Sequence, residues 1–238
     1  MPAGTLIVIP ALNEERRVRG VLEAIGRVVP GVPLLVVDDG SRDATAAEAR
    51  AGGARVVSHP FNLGYGAAPQ TGYRYALRQG FGRVLQMDAD GQHEPESIPA
   101  LIAGLDGGAD LVLGSRFLTA GSYRPPWTRR MGMRLFGALA SLALGRRVSD
   151  ATTGFQGLSR RALTFYDGPG AFPHDYPDAN MIVRVARAGL KIAEVPVRMR
   201  DNPTGGSLHV GLRPFVYVAK MIFSILVELS RRLPLPEA

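Results

Sequence analysis

Apolar residues in this chain fall into short runs, separated by stretches of helical period, and each run ends in polar residues. Thr5–Ile9 (TLIVI) is an almost unbroken apolar run, the pattern of a strand covered on both faces. It passes into PALNEE, where Pro10 stops pairing and Asn13 is placed to cap a helix with Glu14 and Glu15 in its first turn. Val18, Leu22, Ile25 and Val29 recur at helical spacing and predict a buried stripe out to about Val29. Pro30–Pro33 turns the chain into a second strand, Leu34–Val37, which ends in DDGS, with Ser41 or Asp43 as the next helix cap. A third strand, Arg55–Ser58, leads through HPFNLGYGAAPQTG to a helix carrying Tyr73, Ala76 and Leu77. The fourth run opens Val84–Pro95 (VLQMDADGQHEP), and a fifth strand, Asp110–Gly114, ends in SRF.

Strands alternating with helices at this spacing predict an α/β fold with a doubly wound, mostly parallel sheet and right-handed crossovers. Asn13 and Glu14, Asp38 and Asp39, Asp88 and Asp90, and Ser115 and Arg116 all fall just past strand ends. In open α/β sheets that is where the ligand crevice lies. Beyond 116 the pattern changes. Trp127–Leu144 reads as a helix with Arg129, Arg130 and Arg134 near its start, where the helix dipole disfavours them. Anion binding by forked guanidinium groups gives that placement a purpose, against the plainer reading of a solvated basic face. Ser149–Leu158 is a turn feeding a short strand. Asp175–Ala188 is a helix with Pro177 and Asp178 in its first turn, and Lys191–Val197 is a strand. The basic, Gly-rich RMRDNPTGGSLH follows as a loop. The tail, Pro214–Leu233, is apolar but interrupted by Lys220 and Glu228, so it reads as an amphipathic helix that packs on the core, pairs with a second subunit or lies on a membrane. The expected organisation is one domain over 1–210, with a first half to 116 and a second from 117, and a tail helix over 211–238.

The 238 residues suffice for a large core, and 46% hydrophobic with 21% charged residues argues against wholesale disorder. The absence of cysteine excludes a disulfide framework, a Cys zinc site and thiol catalysis. A net charge of +7 favours anionic partners, whether phosphates, nucleic acid or an acidic membrane face. The basic residues do not interleave with aromatics, so nucleic acid is the weakest of these. No signal peptide or run of about 20 apolar residues is evident, and the expected location is the cytoplasm, with a peripheral hold on the inner membrane face.

The chemistry centres on Asp88 and Asp90. Alternation along a strand puts them on one side, Gly91 allows a sharp turn, and Pro95 starts the next helix. Two hard oxygen ligands at a strand end suit Mg²⁺ or Mn²⁺, which also take oxygens from phosphates; a solvated turn is the plainer alternative. Gly64-Tyr-Gly66 begins like a dinucleotide fingerprint but has Pro69 where the third glycine belongs, and no GxxxxGK[ST] occurs.

The string DADGQHEP resembles the DXD motif of family 2 glycosyltransferases, close to the DADxQHxP form of the dolichyl- and polyprenyl-phosphate sugar synthases. PALNE at 10–14, VDDGS at 37–41, GSR at 114–116 and DATTGF at 150–155 resemble the family's other motifs in order. The resemblance spans roughly residues 5–210 and implies a GT-A fold and inverting transfer of a sugar from a nucleotide-diphosphate donor, GDP-mannose or UDP-glucose in type, to a polyprenyl phosphate. It implies that Pro10, Leu12, Glu14, Val37, Asp39, Asp88, Ala89 and Gln92 hold the nucleotide sugar, and that Asp88, Asp90 and Gln92 hold Mg²⁺ or Mn²⁺. Asp90, Arg116 and Asp178 are the implied catalytic residues, and Arg116, Arg130, Arg134 and Arg200 the implied acceptor-phosphate site. The Gly-rich loop departs from the family: Asn202 precedes Gly205-Gly206-Ser207 and Leu208 follows, so Arg198, Arg200 or His209 substitutes for the usual basic residues. Arg134 stands where the family carries serine. The alternatives are a hydroxyl acceptor with Asp178 as base, and a nucleotide-sugar-binding module without turnover.

Overall fold

The computed structural model describes residues 4–118, 137–138, 141–142, 145, 147–168, 172, 179–200, 220, 223–225 and 227–228. In chain order the elements are β1 (Thr5–Ala11), α1 (Val18–Val28), β2 (Leu34–Asp38), α2 (Thr45–Ala51), β3 (Arg55–Ser58), α3 (Ala67–Arg78) and β4 (Arg83–Gln86). A 3₁₀ turn (Pro95–Ser97), α4 (Ile98–Asp106), β5 (Leu111–Ser115), β6 (Gln156–Ser159), α5 (Arg160–Asp167), α6 (Ala179–Arg187) and β7 (Ile192–Pro196) follow. The strands form one seven-stranded sheet in the order β3-β2-β1-β4-β6-β5-β7. All neighbouring pairs are parallel except those of β6, which runs antiparallel to both β4 and β5.

Alternation along the strands feeds two apolar layers. Leu6, Val8, Leu35, Val37 and Val84 face one way, toward Tyr73 and Ala76 of α3, Leu163 of α5 and Val183 of α6. Ile7, Ile9, Val36 and Leu85 face the other, toward Leu22 and Ile25 of α1, Ala49 of α2 and Leu101 of α4. Each fully buried aliphatic side chain of this kind contributes roughly 1.5–3 kcal/mol. This two-sided burial is the physical reason the strands read as apolar runs.

Three local expectations are corrected. Pro10 does not end β1: its position lies opposite Val37 and the ladder with β2 continues to Ala11 and Asp38. Pairing with β4 ends earlier, at Val8 opposite Gln86, so the missing N–H of Pro10 falls where no partner strand needs it. Asn13 does not cap α1, which begins at Val18. Its backbone is left-handed (φ 55°), and its Oδ1 accepts from the Arg42 N–H while its own N–H donates to Ser41 Oγ. Neither Ser41 nor Asp43 is the cap of α2: the N-cap is Ala44 with no side-chain cap, and Asp43 Oδ1 instead accepts from the Thr45 N–H two residues on. One element, α5, has no counterpart in the sequence pattern of Arg160–Asp167. Ser159 starts it, with a side chain accepting from the Ala162 N–H.

Of the described tail residues, Ser224, Ile225 and Glu228 pack on the core and α6. Ile225 joins the first apolar layer, and Asn180 Nδ2 donates to Ser224 Oγ at 2.9 Å. Arg184 Nε lies 3.3 Å from Glu228 Oε2, both side chains being less than a tenth exposed. Of the three uses open to the tail, packing on the core is the one these contacts show. The predicted helix start at 127–136 and residues 201–219 lie outside the described residues.

Candidate functional site

The ends of β1, β2 and β4 lie side by side, and the loops beyond them carry the candidate side chains. After β2, both oxygens of Asp39 are engaged. Oδ1 accepts from His59 Nδ1 (2.7 Å) and the Leu63 N–H (2.9 Å), and Oδ2 accepts from the Gly64 N–H (3.1 Å). Asp39 therefore locks the Gly-rich loop against the β2 turn. Gly40, at φ 73°, completes the lock, since a Cβ there would stand 2.4 Å from the Phe61 carbonyl carbon. Leu12, Phe61, Leu63 and Tyr65 are left as exposed large side chains on these loops. Val37, implied as a nucleotide contact, has no exposed surface and packs in the apolar core. Pro10 is half-buried, and Ala89 is buried in the second apolar layer.

The carboxylates gather past β4. That strand ends at Gln86, so Asp88 and Asp90 meet through the turn, with Gly91 at φ 76°, rather than through strand alternation. Burial pushes the Asp88 carboxyl up to about 6, against the opposing pull of the Arg116 charge. Burial also raises Asp90, where the Gln92 N–H (2.9 Å from Oδ1) favours ionisation and the charge of Asp88 opposes it. Glu14 is raised by burial first, with Asp90, Asp43 and Asp88 adding to it and Arg17, 3.0 Å away, pulling the other way. Three carboxyl groups thus share one low-dielectric corner. Arg17, one helical turn from Glu14, was not among the sequence candidates, and its spacing was the available signal.

Arg116 is almost fully buried, at 5% exposure. Its Nε and Nη2 donate to the two carboxylate oxygens of Asp150, each at 2.6 Å, and Nη2 also reaches Thr152 Oγ1 at 2.8 Å. The fork is thus held by the DATTGF segment while its charge still reaches Asp88. Gly154 of the same segment lies directly against the Asp88 carboxylate: a Cβ there would stand 2.7 Å from Oδ2. The resemblance singles out DATTGF as shaping the acceptor side, but the contacts of Asp150 with Arg116 and of Gly154 with Asp88 are not legible in the sequence, because these partners lie past other strands. Next to Gly154, Tyr73, Gln86, Gln156 and Tyr166 line a cavity of about 10 Å³, room for about one water and too small for a sugar ring.

Arg200 is exposed, 3.7 Å from Glu94, and its N–H donates to the Gln92 carbonyl at 2.8 Å, tying the carboxylate turn to the segment after β7. Arg130, Arg134, Asp178, Asn202 and His209 lie outside the described residues.

The donor set fits a hard divalent cation. Asp88 and Asp90 offer oxygens only, in a place where burial leaves their charge incompletely offset. Among the described residues no group of three or more His, Asp or Glu is arranged around a metal position, so the remaining ligands would be oxygens of a bound substrate or water.

Residues 6–165 match the family described as Glycosyl transferase family 2. The chain is 31% identical over 215 residues to the polyprenol monophosphomannose synthase of Mycolicibacterium smegmatis, covering 87% of this chain and 81% of that protein. It is 32% identical over 213 residues to the undecaprenyl-phosphate mannosyltransferase of Micrococcus luteus, covering 87% of each. Among solved structures, glucosyl-3-phosphoglycerate synthase from Mycobacterium tuberculosis, in complex with Mn²⁺ and UDP-glucose, superposes with a TM-score of 0.70 at 25% identity, covering 95% of this chain and 78% of that one. The expected GT-A architecture is borne out by that likeness.

Proposed function

The chain belongs to glycosyl transferase family 2, and from that premise we propose that it transfers a hexose from a nucleotide-diphosphate sugar to a polyprenyl phosphate, with inversion and in a metal-dependent manner. The observation that carries this reading is the corner where Glu14, Asp88 and Asp90 are held together with their carboxyl groups raised by burial. Such a corner suits a hard cation whose remaining ligands are phosphate oxygens. The names of the relatives at 31% and 32% identity support the lipid phosphate as acceptor.

In this reading Asp88 and Asp90 would hold Mg²⁺ or Mn²⁺, with Gln92 beside them. When bound, the metal supplies Lewis-acid stabilisation of the departing diphosphate. The loop locked by Asp39, with Leu12 and Glu14, seats the nucleotide. An oxygen of the acceptor phosphate forms the new bond to the anomeric carbon while the bond to the diphosphate breaks, and the nucleoside diphosphate leaves. A phosphate monoester is ionised near neutral pH, so this step takes no proton from a side chain. Arg116 contributes positive charge at Asp88 from its seat on Asp150. Arg130, Arg134 and Arg200 are proposed for the acceptor phosphate, and Asp178 for orienting the sugar.

A second reading has its own support: the structural neighbour seen with UDP-glucose is a glucosyl-3-phosphoglycerate synthase, not a lipid-phosphate enzyme. For a hydroxyl acceptor of that kind Asp178 becomes the general base. Radiolabelled GDP-mannose and UDP-glucose, offered with polyprenyl phosphate or with phosphorylated hydroxy acids in Mg²⁺ or Mn²⁺, separate the two. Label in the organic phase supports the lipid acceptor, and label confined to water-soluble product overturns it.

Residues 1–210 are proposed as one catalytic domain, with the tail helix docked on it. No helix among the described residues is long and apolar enough to cross a membrane. The charge of +7 and the exposed Phe223 support a peripheral, reversible membrane contact. Salt-sensitive flotation with anionic vesicles checks it. Pairing of two chains through exposed faces of the tail is the further proposal, which sedimentation tests.

A further inference from the structure

His93 is 4% exposed and forms the last part of the carboxylate turn. Its ring faces Asp88 along an edge: the Asp88 N–H donates to Nδ1 at 3.2 Å, and Nε2 lies 3.8 Å from Asp88 Oδ2. An Nδ1 that accepts carries no proton, so the ring N–H sits on Nε2, near the Asp88 carboxylate but beyond hydrogen-bond distance of it. The ring is fixed from behind by stacking on Phe155, 4.9 Å between centroids and 23° between planes. Its backbone is fixed from both sides, because the Gln92 carbonyl accepts from the Arg200 N–H and the Glu94 N–H donates to the Arg198 carbonyl. The residue before Phe155 is Gly154, which lies against the same Asp88 carboxylate. Asp88 is therefore flanked by a histidine edge and a glycine, both braced by one aromatic residue.

We infer that His93 is a positioning residue for cation binding: it holds the Asp88 backbone through Nδ1 and packs its ring beside the carboxylate, and so sets where the Asp88 oxygens stand relative to Asp90. The inference rests on the reading of those two carboxylates as cation ligands. A histidine that merely filled space would tolerate any group of similar bulk. One that positions Asp88 through Nδ1 needs an acceptor at that atom's place. Asparagine puts its amide oxygen near the position of Nδ1, whereas glutamine reaches the position of Nε2, so the two variants ask different questions of the same site.

The test measures binding of Mn²⁺ alone by the electron paramagnetic resonance of the free ion, with thermal melts in EDTA for each protein. His93→Ala and His93→Gln should weaken Mn²⁺ about 10–100-fold, the range for partners that orient metal ligands, while His93→Asn stays within roughly threefold of the unaltered chain. Equal affinity in all variants, or an equal loss in Asn and Gln, overturns the inference. If His93→Ala unfolds, the contrast of Asn with Gln still decides. Nitrogen-15 spectra of the unaltered protein's imidazoles give an independent reading. A His93 ring protonated only on Nε2 supports the grip, and protonation on Nδ1 overturns it. Failure of the unaltered chain to bind Mn²⁺ counts against the cation reading instead, and the tautomer then decides the grip on Asp88 by itself.

Discussion

Past β1 and β4, Glu14, Asp88 and Asp90 have carboxyl groups raised by burial, whereas across the sheet the acids are answered by donors or by a paired charge. Asp150 takes both arms of Arg116, and Glu194 accepts from the N–H groups of Ser149 and Asp150 and from the Ser149 hydroxyl. Asp110 accepts from the Ser159 hydroxyl and the Lys191 N–H, and Glu228 meets Arg184. All of these groups are at least partly withdrawn from water, and the difference is whether the protein itself supplies the replacement. Where it does, the charge holds the fold together. Where it does not, the corner is built for a ligand that brings positive charge, at some cost to the stability of the empty protein.

Removing a carboxylate from the first region should break function and leave the fold standing. Asp90→Ala should lower transfer about 10²–10³-fold, the scale of losing electrostatic stabilisation of the leaving group. Its melting temperature should hold or rise, because an incompletely compensated buried charge has gone. A variant that unfolds would place Asp90 with the structural acids and dissolve the contrast. Removing an acid from the second region should do the opposite. Glu228→Ala leaves Arg184 buried without this carboxylate and should destabilise by about 3–5 kcal/mol in urea unfolding, while transfer by the folded fraction persists.

Gly154→Ala sharpens the boundary between the regions. The added methyl meets Asp88 Oδ2 and must displace it, so transfer should fall about 10–100-fold with only a small change in melting temperature. Unchanged kinetics would mean that Asp88 has room to move and that its grip is loose.

The smallest effect is the pH dependence of the metal-free protein. The Asp88 carboxyl is raised from 3.8 to about 6, so the folded chain holds this proton more tightly than the unfolded chain does. Stability should therefore fall as pH rises from about 4 to about 6, and the loss is complete above that window. With the side chain 30% exposed, the Asp88 share is about 1–2 kcal/mol after allowance for solvent screening. Asp88→Asn should flatten that part of the slope, and Mg²⁺, which binds the ionised form, should offset it near neutral pH. A slope indifferent to both would remove Asp88 from the uncompensated set.

Much of the fold was legible in the sequence because it follows from local pattern. A strand buried on both faces must be apolar throughout, and a helix with one buried face must repeat its apolar residues every turn, so β1–β5 and α1–α4 announce themselves. The DADGQH turn was legible for the same reason: a run of core residues that breaks into acids marks a strand end. The local chemistry at Pro10 and Asn13 was misjudged, since whether a proline ends pairing depends on which neighbour its nitrogen faces. That neighbour is set by the sheet order.

What the sequence by itself determined was the alternating architecture and the presence of acids at the strand ends. Tertiary structure alone decided that β6 runs antiparallel between β4 and β5, a placement no local period encodes. It also decided which charges are answered, because Arg116 and Asp150 lie 34 positions apart and Arg184 and Glu228 lie 44 apart. The grip of His93 and Gly154 on Asp88 belongs to the same class. Each of these is a meeting of residues distant in sequence or turned together by a loop, and packing, not pattern, brings them within a few ångströms.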